Sequence, residues 1–238
     1  MFCHSIRSLF VATGLFAAGC AIATEQEVVY TARTGDTLIA LEKRFLANPY
    51  VWKNLKTRNR IVDPMRIPVG TPVRIPVGWL RAEPLTARVV AMQGDVSMDG
   101  RALKLDSKVP AGTLLRTGAG AFVTLQMPDE SRLTVQPQSA ARLERLQSVI
   151  GFGGQQTEVF LEHGRVETTV TSQRGPAARY RVRTPTATVG VRGTEFRVGS
   201  DIVAQSSQAE VTGGEVRMSP ADAATPTALP AGYGVVAK

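Results

Sequence analysis

From Thr86 onward, apolar and polar residues alternate in short runs that are separated by turn-forming residues. The clearest run has apolar side chains at every second position: Ala121, Val123, Leu125 and Met127. Because successive side chains of a β-strand point to opposite faces, such runs predict strands with one buried face. We expect turns at residues 128–131, 163–165 and 213–214. The pattern predicts an all-β domain, built as a sandwich, a barrel or an irregular coil of β-strands.

Residues 28–77 show a different pattern, in which two helical segments lie between two short strands. Residues 28–32 favour a strand, and residues 35–37 supply a turn and a helix cap. Apolar residues at helical spacing follow: Leu38, Leu41 and Phe45. Pro49 is well placed to begin a second helix, and residues 73–75 favour a closing strand. The segment predicts a small α+β unit of order strand, helix, helix, strand.

Two stretches of this segment, residues 30–38 and 59–70, resemble the two ends of a LysM domain. The resemblance implies a βααβ fold whose two loops form a shallow groove for the N-acetylglucosamine of peptidoglycan. It places these residues on the two walls of the groove: Gly35, Asp36, Thr37 and Leu38 on one, and Asn59, Arg60, Ile61 and Asp63 on the other. The alternative is that these residues serve only the fold, as a turn, a helix cap and core side chains.

Three stretches of the β region resemble the FecR family: residues 112–118, residues 125–133, and residues 184–196 with the sequence TPTATVGVRGTEF. The resemblance covers residues 87–237 and implies an all-β domain of short stacked strands, solenoid-like or sandwich-like. The family's named member is a membrane-spanning regulator that relays a signal from an outer-membrane transporter to a sigma factor. This sequence shows neither its cytoplasmic N-terminal domain nor its transmembrane helix. We therefore expect the domain to contact another envelope protein.

Arginines occupy every second position of residues 179–183, so we expect them on one face of a strand, opposite Tyr180 and Val182. The candidate patch for an anion or a protein partner contains four arginines: Arg179, Arg181, Arg183 and Arg192. The alternative is an ordinary solvent-facing strand whose charges pair with Glu167 or Glu195.

Residues 1–23 have the features of a cleaved secretory signal. A polar start is followed by an apolar run, and Ala21, Ile22 and Ala23 fit a cleavage site. The run is shorter than the roughly 20 apolar residues of a spanning helix, so no transmembrane span is expected after cleavage. The alternative is a lipoprotein site at Cys20. We expect a periplasmic or cell-envelope protein with domains at residues 28–77 and 87–237, joined by residues 78–86.

The net charge of +8 favours anionic partners such as wall polymers. Nucleic acid is the least expected of these after export.

The cysteines are Cys3 and Cys20, both within the predicted signal. An exported protein without a disulfide must be held together by its hydrophobic core.

The sequence after the predicted signal has few side chains that could act as nucleophiles or metal ligands, which disfavours an enzyme. With the signal removed, His163 is the single histidine and no cysteine remains, which excludes the usual nucleophilic triads and clustered His/Cys metal sites. No cofactor is expected. Carboxylate chemistry stays open as an alternative, with Asp129 and Glu130 or Glu162 and Glu167 as the acid pair.

The sequence thus favours a non-catalytic envelope adaptor. Its N-terminal module would bind peptidoglycan and its β domain would engage an envelope protein. The first alternative is a signalling or regulatory component of FecR type, and a weaker one is a carboxylate-type wall hydrolase.

Overall fold

The computed structural model describes residues 26–171, 174–191, 193–220 and 227–237. The predicted signal at residues 1–23, including Cys20, lies outside the described residues, as does Arg192. No helix in the described part of the chain combines the length and the apolar content that crossing a membrane requires.

The N-terminal unit, residues 26–80, contains two strands and two helices: β1 (Glu27–Thr31), α1 (Leu38–Phe45), α2 (Trp52–Asn59) and β2 (Pro72–Pro76). The predicted order of strand, helix, helix, strand is confirmed. The strands pair antiparallel, with Val28 opposite Ile75 and Tyr30 opposite Val73. All four side chains are buried against the helices.

The predicted start of the second helix at Pro49 is wrong, since α2 begins at Trp52. Tyr50 has a φ of 67°, a left-handed conformation that cannot continue into a right-handed helix. The Trp52 N–H donates instead to Glu42 Oε2 at 2.8 Å, so a side chain of α1 satisfies one of the free amides at the start of α2.

The described residues of the β domain, between 82 and 237, form seventeen strands: β3 (Ala82–Pro84), β4 (Thr86–Gln93), β5 (Val96–Met98), β6 (Arg101–Ala102), β7 (Lys108–Pro110), β8 (Leu114–Thr117), β9 (Phe122–Gln126), β10 (Arg132–Val135), β11 (Ala140–Val149), β12 (Gln155–Thr169), β13 (Arg179–Arg183), β14 (Ala187–Val191), β15 (Glu195–Asp201), β16 (Ser206–Gly213), β17 (Glu215–Pro220), β18 (Thr227–Pro230) and β19 (Gly234–Ala237). The expectation of a mostly β domain is confirmed.

Hydrogen bonding divides these strands into two layers. The first sheet has the order β6-β5-β8-β11-β12-β13-β14-β17-β18, with β3 on the far end of β11. The second sheet has the order β7-β4-β9-β10-β12-β15-β16-β19. Since β12 belongs to both, the two layers are one continuous curled sheet. Buried side chains from both layers form a single apolar core between them.

Strand β12 passes through residues 163–165, where the sequence predicts a turn, so that prediction is wrong. Before this point β12 pairs antiparallel with β11 and parallel with β13. From Gly164 onward it pairs with β10 and β15. Gly164 has a φ of 89°, which bends the strand from one layer into the other. Glycine at a positive φ marks a bend in a strand as readily as a turn, so the sequence alone could not separate the two.

The N-terminal unit packs directly against the β domain through aromatic rings. Phe152, which follows β11, lies 5.0 Å from Phe45 of α1 and 6.4 Å from Tyr30 of β1, measured between ring centroids. Residues 78–86, the expected join, include β3, which pairs with β11. The Arg81 N–H also donates to Phe45 O at 2.7 Å, so the join is hydrogen-bonded to both units.

We expect Gly164→Ala to lower the free energy of unfolding by roughly 3 kcal/mol. An added Cβ would overlap Ser139 Oγ and lie 2.6 Å from Ser139 Cα, in addition to the strain of a left-handed alanine. Gly112→Ala is the matched control, because Gly112 has a φ of 91° and open space around its Cβ position. That variant should lose only about 1 kcal/mol. Equal losses in urea titrations of the two variants would show that the contact with Ser139 does not matter.

Candidate functional site

The two predicted walls of the carbohydrate groove lie next to each other. The Leu38 N–H, at the start of α1, donates to Pro64 O at 2.9 Å, and the Ile67 N–H donates to Asp36 O at 3.4 Å. These bonds join the loop after β1 to the loop before β2. The arrangement brings together residues that are more than twenty positions apart in sequence.

Three of the four residues predicted for the first wall have structural roles. Asp36 Oδ2 accepts hydrogen bonds from the Tyr30 hydroxyl at 2.8 Å and from the Arg33 N–H at 2.7 Å. Thr37 is the N-cap of α1, and its Oγ1 accepts from the Ala40 N–H at 3.0 Å. Leu38 is fully buried in the core. Gly35 is exposed, at a φ of 84°, and leaves its backbone open to solvent.

Burial raises the pKa of the Tyr30 hydroxyl, and its hydrogen bond to Asp36 raises that pKa further. Tyr30 therefore remains a hydrogen-bond donor at neutral pH and holds the Asp36 carboxylate in place. By accepting from Tyr30 and from the Arg33 N–H, the carboxylate stabilises the turn between β1 and α1.

Asn59, on the second wall, joins α2 to β2. Its Nδ2 donates to Arg74 O at 2.9 Å and to Leu55 O at 3.0 Å, while its Oδ1 accepts from the Arg74 N–H at 2.7 Å. The side-chain amide thus replaces a neighbouring strand on the free side of β2. Such a role is structural.

The remaining residues of the second wall divide between fold and surface. Arg60 ends α2 in a left-handed conformation and has an exposed side chain. Ile61 is buried, and Asp63 accepts from the Met65 N–H at 2.8 Å. Sequence reasoning missed Val62 and Met65, which are exposed by 91% and 63%. No periodicity in this loop distinguishes the exposed Val62 from the buried Ile61.

The arginine row lies on the outer face of β13, as predicted. Tyr180 and Val182 are buried in the core, whereas Arg179, Arg181 and Arg183 face outward. Parallel pairing sets the row beside residues of β12, with Glu158 opposite Arg181 and Phe160 opposite Arg183. The Arg183 guanidinium lies 5.8 Å from the centre of the Phe160 ring.

The acids that pair with this row differ from those expected. Arg183 contacts Glu144 at 3.0 Å and Glu158 at 3.8 Å, and Glu158 also contacts Arg145 of β11 at 3.2 Å. Glu167 pairs instead with Arg197 at 3.1 Å. The expected pairing with Glu167 or Glu195 is wrong because both acids lie in the second sheet, Glu167 on the second half of β12 and Glu195 on β15.

Burial, with the charges of Arg181 and Arg145 acting in the same direction and Glu158 against them, lowers the pKa of the Arg179 guanidinium to about 10. Burial also lowers the pKa of Arg181, with Arg145 and Arg183 acting in the same direction and Glu158 against them. Both groups stay protonated at neutral pH. Neither forms a salt bridge within the described part of the chain.

Three of the four acids considered for catalysis, Glu162, Glu167 and Asp129, are held by other groups. Glu162 lies 3.4 Å from both Arg116 and Arg142 on the first sheet. Glu167 accepts from Arg197 and from Gln136 Nε2 on the second. Asp129 Oδ1 accepts from the Ser131 N–H at 3.1 Å within a turn. Among the described residues, no three His, Cys, Asp or Glu side chains cluster as metal ligands would.

A polar cleft of about 890 Å³ lies beside the bend of β12. His163, Arg165 and the Glu167–Arg197 pair line it, together with the hairpin tip at Ile202. Since Glu167 is bonded on both oxygens, this carboxylate is engaged within the protein.

We expect Asn59→Ala to lower the free energy of unfolding of the N-terminal unit by about 1–2 kcal/mol, because the Arg74 N–H and C=O lose their partner. Thr57→Ala is the control, since its exposed hydroxyl bonds only Lys53 O, at 3.2 Å. Hydrogen exchange of the β2 amides measures the effect. Faster exchange in both variants to the same degree would contradict a structural role for Asn59.

Comparison with known proteins gives one family match. The family described as FecR protein matches residues 113–217, which run from the residue before β8 into β17. The match is narrower than the expected residues 87–237, and it does not reach the N-terminal unit. No curated protein matches the sequence.

Two crystal structures are similar to the chain, each described as that of a candidate anti-sigma factor from Parabacteroides distasonis. Both are 18% identical to it over 52% of this chain and 53% of the other, with TM-scores of 0.43 and 0.42. The chain thus spans about half the length of these solved structures. The family match assigns a FecR domain to residues 113–217 of this protein.

Proposed function

We propose that this protein is a regulatory component of the cell envelope, in which the FecR domain binds a partner protein. The observation that carries this proposal is the FecR match over residues 113–217. The proposed role is non-enzymatic. It replaces the general adaptor role as the leading interpretation, since a FecR family match favours signalling over simple tethering.

The segment with the most specific FecR motif, residues 184–196, has a structural role at its start. Thr184 Oγ1 donates to Ala187 O at 3.1 Å and accepts from the Ala187 N–H at 2.9 Å, which closes the turn between β13 and β14. Ser207 Oγ of β16 donates to Thr184 Oγ1 at 2.7 Å. Because the Thr184 hydroxyl is buried, partner binding falls to the exposed faces of the strands on either side of this turn.

The N-terminal unit suits a positioning role in this proposal. Its aromatic contact with Phe152 and its hydrogen bonds to the join hold it against the β domain. Whatever the N-terminal unit binds would therefore fix the orientation of the FecR domain. Export through residues 1–23 would place both units in the envelope.

Deletion of the gene should change the expression of a discrete set of genes, and expression of the full-length protein should restore it. RNA sequencing of the deletion strain and of the complemented strain measures this. Mass spectrometry of the envelope fraction should find a protein that begins after residue 23. An unchanged transcriptome under all growth conditions tried would remove the regulatory proposal.

A second function, peptidoglycan binding by the N-terminal unit, has one specific observation in its favour. The unit has the βααβ order of LysM, and its two loops meet through the bond between Leu38 and Pro64. Since Asp36 and Asn59 serve the fold, recognition would use exposed backbone at Gly35 and the exposed side chains of the second loop. Apolar Val62 and Met65 could pack against an N-acetyl group.

The protein should sediment with purified sacculi at both low and high salt, because groove contacts are screened far less than surface charges. Val62→Ser combined with Met65→Ser should weaken this binding about tenfold. Val203→Ser is the matched control, since Val203 is 96% exposed on the β domain. Sedimentation that salt abolishes, or that both variants retain equally, would remove peptidoglycan binding as a function.

A further inference from the structure

We infer, resting on the proposed function, that the outer face of β11, β12 and β13 binds an extended acidic segment of the partner protein. This arginine face is defined by five arginines and three glutamates: Arg142, Arg145, Arg179, Arg181, Arg183, Glu144, Glu158 and Glu162. The acidic segment would lie along β13, with its alternate carboxylates against Arg179 and Arg181.

The spacing of the row matches that of an extended peptide. Side chains two residues apart on one face of a strand are separated by about 6.6 Å. An extended partner with acidic residues at alternate positions repeats at the same distance. Each guanidinium can then donate two parallel hydrogen bonds to one carboxylate, which is the geometry that arginine favours.

Positive charges outnumber negative charges within the arginine face. Glu158 is the shared acid for Arg145 and Arg183, and it also acts on Arg181 across the strand pairing. Glu144 contacts Arg183 as well. Arg179 and Arg181 are half-buried, and neither forms a salt bridge of its own within the described residues. A partner carboxylate would supply a direct counter-charge to two guanidinium groups that have already lost part of their hydration.

The surroundings of the row leave room for such a segment. On the side of β13 away from β12, Gly190 of β14 lies opposite Arg181. Among the described residues, a Cβ at Gly190 would meet the Arg217 carbonyl alone, at 3.9 Å, so this position leaves space beside Arg181. On the other side, the Phe160 ring lies against the Arg183 guanidinium, 5.8 Å from its centre, and offers an apolar surface.

The mixture of charges favours a discrete peptide over a uniform polyanion. Glu144, Glu158 and Glu162 alternate with the arginines across the face. A membrane surface or a polyphosphate chain would place negative charge against these glutamates as well. A protein segment can place its carboxylates beside the arginines alone.

The probe is a fluorescent synthetic peptide with glutamate at alternate positions, flanked by threonine and valine. Its anisotropy is measured with the full-length protein at low and physiological salt. Arg179→Gln combined with Arg181→Gln should weaken binding at least about tenfold, and the lysine pair Arg179→Lys with Arg181→Lys by less, because charge remains without the planar fork. Arg101→Gln combined with Arg132→Gln is the charge-matched control on exposed positions elsewhere and should bind normally.

Thermal unfolding of every variant separates loss of binding from loss of folding. Peptide binding that the glutamine pair retains, or polyphosphate binding as tight as peptide binding, would overturn the acidic-segment inference.

Complementation of the deletion strain with the same pair distinguishes the two proposals. Restored regulation would refute the arginine face while the regulatory role stands. If deletion of the gene has no regulatory effect, the regulatory role is refuted. The peptide-binding measurement then still decides whether the arginine face binds an acidic segment.

Discussion

The fold of the β domain depends on the contact between Gly164 and Ser139, where β12 leaves one layer and enters the other. Ser139 Oγ accepts from the Arg165 N–H at 2.9 Å, and the Ser139 N–H donates to Thr117 Oγ1 at 3.0 Å. Thr117 Oγ1 in turn donates to Gln136 O at 2.6 Å. A side chain at residue 164 would occupy the space that these bonds require. The single bend thus joins two sheets, and buried residues of both close over one core.

The chemistry of the surface follows from this bend. The first half of β12 carries Glu158 and runs parallel to β13, so this carboxylate lies among the arginines. The second half carries Glu167, which faces Arg197 on β15. Glu158 and Glu167 belong to one strand but form salt bridges with arginines of different sheets.

The N-terminal unit shows how a small domain uses polar residues for its own stability. A unit of this size buries little apolar surface, so side-chain hydrogen bonds that close its loops contribute a larger share. Asp36 and Asn59 close the loop after β1 and the free side of β2. The packing of Phe152 on Phe45 and Tyr30 then extends the apolar core of the unit into the β domain. Surface groups, rather than these polar residues, are left for binding a ligand.

Several local features of this protein follow from its amino-acid sequence alone: the strand, helix, helix, strand order at the N-terminus, the period-two strands that follow, and the outward direction of Arg179, Arg181 and Arg183. Local periodicity and capping residues carry that information because they act within a few positions of the chain. Three other features depend on long-range packing: residues 163–165 bend a strand, Glu158 is the acid beside the arginines, and Asn59 takes the place of a strand beside β2. Each of these depends on which distant segment lies alongside, since a glycine at positive φ or a polar side chain has the same local signal in either role.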